Sequence, residues 1–111
     1  MKRKYGNRKV TLDGHSFDSK REAGRYGELK LLERTGQITD LELQPRFELI
    51  PKQRRDDGQP ERACEYVADF RYTDVRTGQQ VIEDAKGMRT RDYIVKRKLM
   101  LQVHGISVRE V

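Results

Sequence analysis

The sequence predicts one α/β domain of the α+β kind, with elements in the order ββ-α-β-β-β-α-β. Three observations carry this. The chain has 111 residues, which suits a single small domain. Only 34% of them are hydrophobic, yet they gather in short patterned runs, so a core must exist. Turn residues punctuate those runs, with no internal repeat and no second domain in view.

Residues 1–8 read as a flexible basic arm, and residues 9–111 as the folded domain. "KVTLDGHSF" alternates around Asp13-Gly14, a hairpin turn signal. A helix follows in "DSKREAGRYGELKLLERTG". Asp18 or Ser19 can cap it, Glu22 stands three residues after Ser19 as in a capping box, and Gly36 is a suitable stop. "ITDLELQPRFELIP" is extended, alternating through Phe47, Leu49 and Pro51. "KQRRDDGQPER" is a polar loop. "CEYVADFRYTD" is a strand rich in β-formers, "VRTG" a turn at Gly78, and "QQVIEDAK" the returning strand. Residues 91–104 form a second helix that Gly105 ends, and "ISVREV" is a last short strand.

The net charge of +6 favours an anionic partner such as nucleic acid, or simply solubility. The single cysteine, Cys64, rules out an intramolecular disulfide and a cysteine-rich zinc site, and reads as a small core residue. The basic N-terminus is followed by no apolar signal-like run, and no apolar run reaches membrane-spanning length. The expectation is a cytoplasmic protein without a membrane partner.

The informative stretch is "VIEDAKG", residues 81–87, an apolar strand end holding two acids and a lysine. Residues two apart share a strand face, so Asp84 and Lys86 point one way and Glu83 the other. If the hairpin turns at "VRTG", Asp69 on the preceding strand lies roughly opposite Asp84. Carboxylates about 5 Å apart repel, and a cation between them relieves this. Two hard oxygen ligands plus waters describe a magnesium site, and a neighbouring lysine can hold a phosphate or polarise a water. The plainer reading is a solvated hairpin face with a surface ion pair. The apolar neighbours Val67, Phe70, Val81 and Ile82 argue against it, because they place both strands centrally. Glu22 shares a helical stripe with Tyr26 and Leu29, so it either completes the capping box or joins these acids. His15 and His104 have no partner pattern and receive no role.

Glu22 on a first helix, then "YVADF", then "EDAKG", resembles the PD-(D/E)XK nuclease superfamily. Ala68 stands where the superfamily's name has proline. The pattern "DG…FDSKREA..Y..L", "Y.ADF", "EDAKG" and "T..Y..KRKL" further resembles a small phage and prophage family, and archaeal-type Holliday-junction resolvases share the size, basic charge and motif order. The resemblance implies a restriction-endonuclease-like core, a mixed central sheet flanked by helices. It implies catalytic Glu22, Asp69, Asp84 and Lys86, with Mg²⁺ or Mn²⁺ on Asp69, Asp84, the Ala85 carbonyl and Glu22. Gly87 would allow close backbone approach at the strand end. "LELQPRFEL" resembles a segment of transposon end-cleaving endonucleases, making Gln44 an auxiliary residue. The second helix of the superfamily often adds a basic residue, for which Lys98 is the candidate.

The expected function is hydrolysis of DNA phosphodiesters, selective for Holliday junctions or branches, in a phage-infected bacterial cytoplasm. A nicking or end-cleaving enzyme with a partner, and a non-catalytic nucleic-acid binder, are the alternatives. Arg89, Thr90, Arg91, Tyr93, Lys96 and Arg97 are the DNA-binding candidates, alongside the basic arm and the "KQRR" loop. Leu99, Met100, Leu101 and Val103 are too many apolar residues for one helix stripe, and a junction enzyme needs two opposed cuts. Both point to a homodimer.

Overall fold

The computed structural model describes residues 9–86 and 89–111; the basic arm and Gly87 lie outside them. β1 (Val10–Leu12) and β2 (His15–Phe17) form a tight hairpin. Its two central residues, Asp13 and Gly14, have φ of 52° and 77°, the left-handed backbone such a turn needs. α1 (Lys20–Arg34) starts at Ser19, whose Oγ accepts from Glu22 N at 3.1 Å. Its last turn closes on Thr35, and Gly36 follows at φ 80°. Burial of Ala23, Tyr26 and Leu29 along one stripe holds the helix against two outward-facing glycines, Gly24 and Gly27.

The main sheet contains β3 (Ile38–Leu43), β8 (Phe70–Asp74), β9 (Gln80–Asp84) and β10 (Arg109–Glu110), in the order β10-β9-β8-β3. β10 runs parallel to β9 and the other pairs are antiparallel, so the sheet is mixed. β4 (Arg46–Ile50) pairs with β7 (Cys64–Val67) as a separate ribbon. The expected single strands over 38–51 and 64–74 are therefore each broken in two. The break is a bend and leaves the register intact: Leu43 faces Phe70 on one side of it and Arg46 faces Val67 on the other. Gln44 N donates to Asp69 O at 2.9 Å and Ala68 N to Pro45 O at 3.1 Å, carrying the ladder through the bend. Pro45 has no N–H, and Gln44 takes a left-handed φ of 53°, which turns the chain there.

The segment expected as a plain polar loop carries a small hairpin, β5 (Gln53–Arg54) with β6 (Pro60–Glu61). Residues 50–63 are exposed throughout, so the ribbon ends in an arm standing clear of the core. α2 (Arg91–His104) is capped by Thr90 and stopped by Gly105 at φ 69°, as its sequence implies. The last expected strand shortens to the two residues of β10.

The bend gives the sheet two cores. On one face α1 covers Phe17, Ile38, Phe70, Tyr72 and Val81. On the other α2 covers Phe47, Leu49, Tyr66, Ala68 and Ile82, with Tyr93 and Met100 supplied by the helix and Cys64 packed at the margin. β9 is buried on both faces along residues 81–84, which places Glu83 and Asp84 in opposite cores. No helix among the described residues is long and apolar enough to cross a membrane.

Candidate metal and phosphate site

Asp69 sits at the bend of β7 into β8. Its N–H donates to Glu83 O at 3.1 Å, and Phe70 faces Glu83, so Asp69 stands opposite Asp84 as the hairpin turn implies. One carboxylate oxygen, Oδ2, accepts from Ala85 N at 2.7 Å. Burial first, and then the Asp84 charge, push the Asp69 carboxyl up to about 8.

Asp84 is 1% exposed. The hydroxyl of Tyr66 donates to its Oδ2 within the α2-side core. Its Oδ1 is buried and has no hydrogen-bond partner among the described residues. Lys86 Nζ lies 3.1 Å from that oxygen, within ion-pair reach but outside hydrogen-bond alignment. The same ammonium stands 4.6 Å from the centre of the Tyr93 ring, which holds it by cation–π attraction. Lys86 thus balances part of the Asp84 charge without closing the valence of Oδ1.

Glu22 comes from the first turn of α1. Its backbone completes half of the capping box, while its buried side chain turns to a cleft shared with Gln44 and Asp69. Its carboxyl is raised by burial and then by Asp18, with the Asp84 charge adding to the effect. The cleft measures about 240 Å³ and is walled on its far side by Gly14, His15 and Ser16. His15, without a role in the sequence reading, therefore lines it; its ring lies edge-on to Tyr26 at 5.7 Å. A larger cleft, about 560 Å³ between Arg25, Tyr72, Arg76 and Arg109, contains none of these acids.

Among the described residues no three His, Cys, Asp or Glu side chains stand together as a ready metal cage. The fit to a divalent cation rests on the Asp69–Asp84 pair. Two carboxylates share a low-dielectric site, one buried oxygen lacks a partner, and the donors are the hard oxygens that Mg²⁺ or Mn²⁺ prefers. Gln44 and Glu22 complete the rim.

Four of the residues expected at DNA, Arg89, Thr90, Tyr93 and Arg97, have partners within the chain. Thr90 is the N-cap of α2, accepting from Tyr93 N at 3.1 Å. Arg89, Tyr93 and Arg97 converge on Glu110 of β10, at 2.9, 2.7 and 2.9 Å. That clamp ties the helix to the parallel edge strand and, chiefly through Arg89, lowers the Glu110 carboxyl to about 2. These side chains have an internal anion, which local spacing could not disclose because Glu110 is distant in sequence. Arg91 and Lys98 are exposed, and Lys96 is half-buried. Lys98 follows Tyr93 by five residues, roughly 140° around the helix from the ring that touches Lys86. It is Arg97, 5.8 Å from the Tyr93 ring centre, that shares the Lys86 side.

Behind β9 the other acid is closed off. Glu83 is fully buried, bound by Arg25 Nε at 2.8 Å and Nη2 at 2.6 Å, and by the Tyr72 hydroxyl. The pair raises the Arg25 guanidinium further, and burial followed by the Glu83 bond lifts the Tyr72 hydroxyl to about 12.

Residues 2–109 match a family model described as a protein of unknown function, DUF1064. The chain belongs to the DUF1064 family. No curated protein and no solved structure matches this DUF1064 chain. Its site is therefore read from its own geometry.

Proposed function

We propose that this chain is a metal-dependent DNA endonuclease of the PD-(D/E)XK type, its mixed sheet and two helices forming a restriction-endonuclease-like core. The observation that carries the reading is the Asp69–Asp84 pair across a hairpin, with one buried oxygen unpartnered and Lys86 beside it.

Asp69 and Asp84 would hold Mg²⁺ or Mn²⁺, with the Ala85 carbonyl as a further oxygen and Glu22 reaching the ion directly or through water. When bound, such an ion acidifies a water and offsets charge building up on the phosphoryl group. The chain's own groups do the rest. Lys86 faces the acids from the rim and can orient the attacking water or a non-bridging phosphate oxygen. Gln44 lines the same cleft and offers an amide for hydrogen bonding to phosphate or water. The burial that raises Asp69 also keeps the site in low dielectric, where these contacts act strongly.

DNA would be held mainly by its phosphates. The net charge is positive, there is no tryptophan, and aromatic residues are few, so base stacking has little to work with. The substrate we favour is branched DNA, including four-way junctions, cut by a homodimer in a phage-infected bacterial cytoplasm. The deciding experiment incubates the protein with Mg²⁺ and linear, nicked, forked and four-way DNAs. Cleavage of the branched forms supports the reading, cleavage of linear or nicked forms alone moves it to a nicking or end-cutting enzyme, and binding without cleavage reduces it to a nucleic-acid binder.

A further inference from the structure

Asp84 is unusual in how its two oxygens are treated. Oδ2 is capped by Tyr66, while Oδ1, on the side of Lys86, has no hydrogen-bond partner among the described residues. The capping residue is positioned by the bend of the ribbon. β7, on the far side of Asp69 from the main sheet, packs on the α2 side, and this brings the phenol of Tyr66 against Asp84 of β9. Tyr66 is 3% exposed, and its ring packs 6.3 Å from that of Tyr93 in the α2-side core.

A carboxylate with one oxygen occupied can offer only the other. Cations differ in what they ask of it. Mg²⁺ and Mn²⁺ favour six single oxygen contacts in an octahedron, whereas Ca²⁺ takes six to eight and readily accepts both oxygens of one carboxylate. We infer that Tyr66 is the ion-selecting residue of this site: by holding Oδ2 it restricts Asp84 to a single contact and biases the site toward small octahedral cations over Ca²⁺. Tyr66 touches neither ion nor substrate and acts as a positioning residue for Asp84. The inference rests on the metal-site reading above and deepens it.

The test is calorimetric titration of the full-length protein with Mn²⁺ and separately with Ca²⁺, in wild type, Tyr66→Phe and Asp84→Asn. Phenylalanine keeps the ring and removes only the hydroxyl. We expect Tyr66→Phe to lose Mn²⁺ affinity by about 10-fold or more while Ca²⁺ affinity holds or rises, so that the ratio of dissociation constants shifts about 10-fold toward Ca²⁺. A purely structural role would weaken both ions alike. Asp84→Asn should weaken both. Melting by circular dichroism accompanies each variant. If Tyr66→Phe is too unstable to assay, Tyr66→His takes its place, since a ring N–H returns a donor and should keep the ratio within about threefold of wild type. An unchanged ratio in Tyr66→Phe, or a folded Tyr66→His that prefers Ca²⁺, overturns the inference and leaves the metal site standing. A wild type that binds neither ion removes the metal site and this inference together.

Discussion

Glu83 and Asp84 are neighbours on β9, each fully buried, and each is bound by a tyrosine on the opposite face of the sheet from the other. The resemblance in arrangement ends at the cation. Glu83 receives two guanidinium bonds from Arg25 and is electrostatically complete. Asp84 has an imperfectly aligned lysine, and its Oδ1 has no hydrogen-bond partner among the described residues. One acid is closed off by its partners, and the other keeps an oxygen without a hydrogen bond among the described residues.

Asp69→Asn and Asp84→Asn should each abolish Mg²⁺-dependent cleavage and keep the fold. Above about pH 8, where Asp69 is ionised, removing the Asp69–Asp84 repulsion should hold or raise the melting temperature. Cleavage that persists in EDTA, or in both variants, would sink the nuclease reading.

Stability of the ion-free protein should fall as pH rises from about 4 to 8. Asp69 is raised from the ordinary 3.8 to about 8, so across this window the native state keeps a proton that the unfolded state has released. The slope for one proton is at most about 1.4 kcal/mol per pH unit. Glu22 is shifted in the same direction. Glu110, lowered from 4.5 to about 2, acts with opposite sign and only below pH 4.5, where its stabilisation is lost as pH falls. Thermal melts from pH 4.5 to 8.5 measure this. Asp69→Asn should reduce the slope, and saturating Mg²⁺ should remove it. A slope identical in wild type and Asp69→Asn would exclude Asp69 as its source.

Glu83→Ala should cost about 3–5 kcal/mol, because it strands the Arg25 guanidinium against the sheet. Tyr72→Phe should cost about 2 kcal/mol, the worth of a bond to a buried charge. Urea denaturation measures both. A loss below about 1 kcal/mol in Glu83→Ala would show that this pair does not hold β9 in place.

DNA affinity should fall steeply with salt and vary little with sequence. Arg91→Ala or Lys96→Ala should lower the salt slope by about one each. Arg97→Ala should instead lower the melting temperature, since its partner is Glu110. Affinity flat in salt would rule out phosphate-dominated binding.

Leu101 and Val103 are 56% and 48% exposed on α2, whereas Met100 is fully buried and Leu99 half-buried. Static light scattering at micromolar concentration should give a dimer mass, and Leu101→Ser with Val103→Ser should return a monomer. A wild-type monomer both free and DNA-bound would move the favoured substrate from four-way junctions to nicks or flaps.

Much of this architecture was legible in the sequence. Both helices were readable because their ends are local: Ser19 and Thr90 cap them, and Gly36 and Gly105 follow with positive φ. The Asp69–Asp84 juxtaposition was readable because the turn at Gly78 sets the hairpin register, and register fixes which residues face each other. The bend was not, since it depends on Gln44 adopting a left-handed φ before a proline, a state that composition does not announce. Nor was the binding of Arg89, Tyr93 and Arg97 to Glu110, which needs the parallel pairing of β10 with β9. Tyr66 escaped notice for the same reason as the bend: it faces Asp84 only after the ribbon has turned.

The unbroken ladder through the bend makes the exposed arm a modular extension. Residues 44–50 and 64–69 count out the same steps on both strands for most of their length, and the residues beyond them are exposed. Paired insertions or deletions at the tip, one residue on each strand, would change how far the arm extends and leave Asp69 where it is. An unpaired one placed inside β4 or β7 would invert the faces beyond it and swing Tyr66 out of the interior. Reach and chemistry can therefore diverge independently in this fold, with the tip free to vary in length and the root held in step.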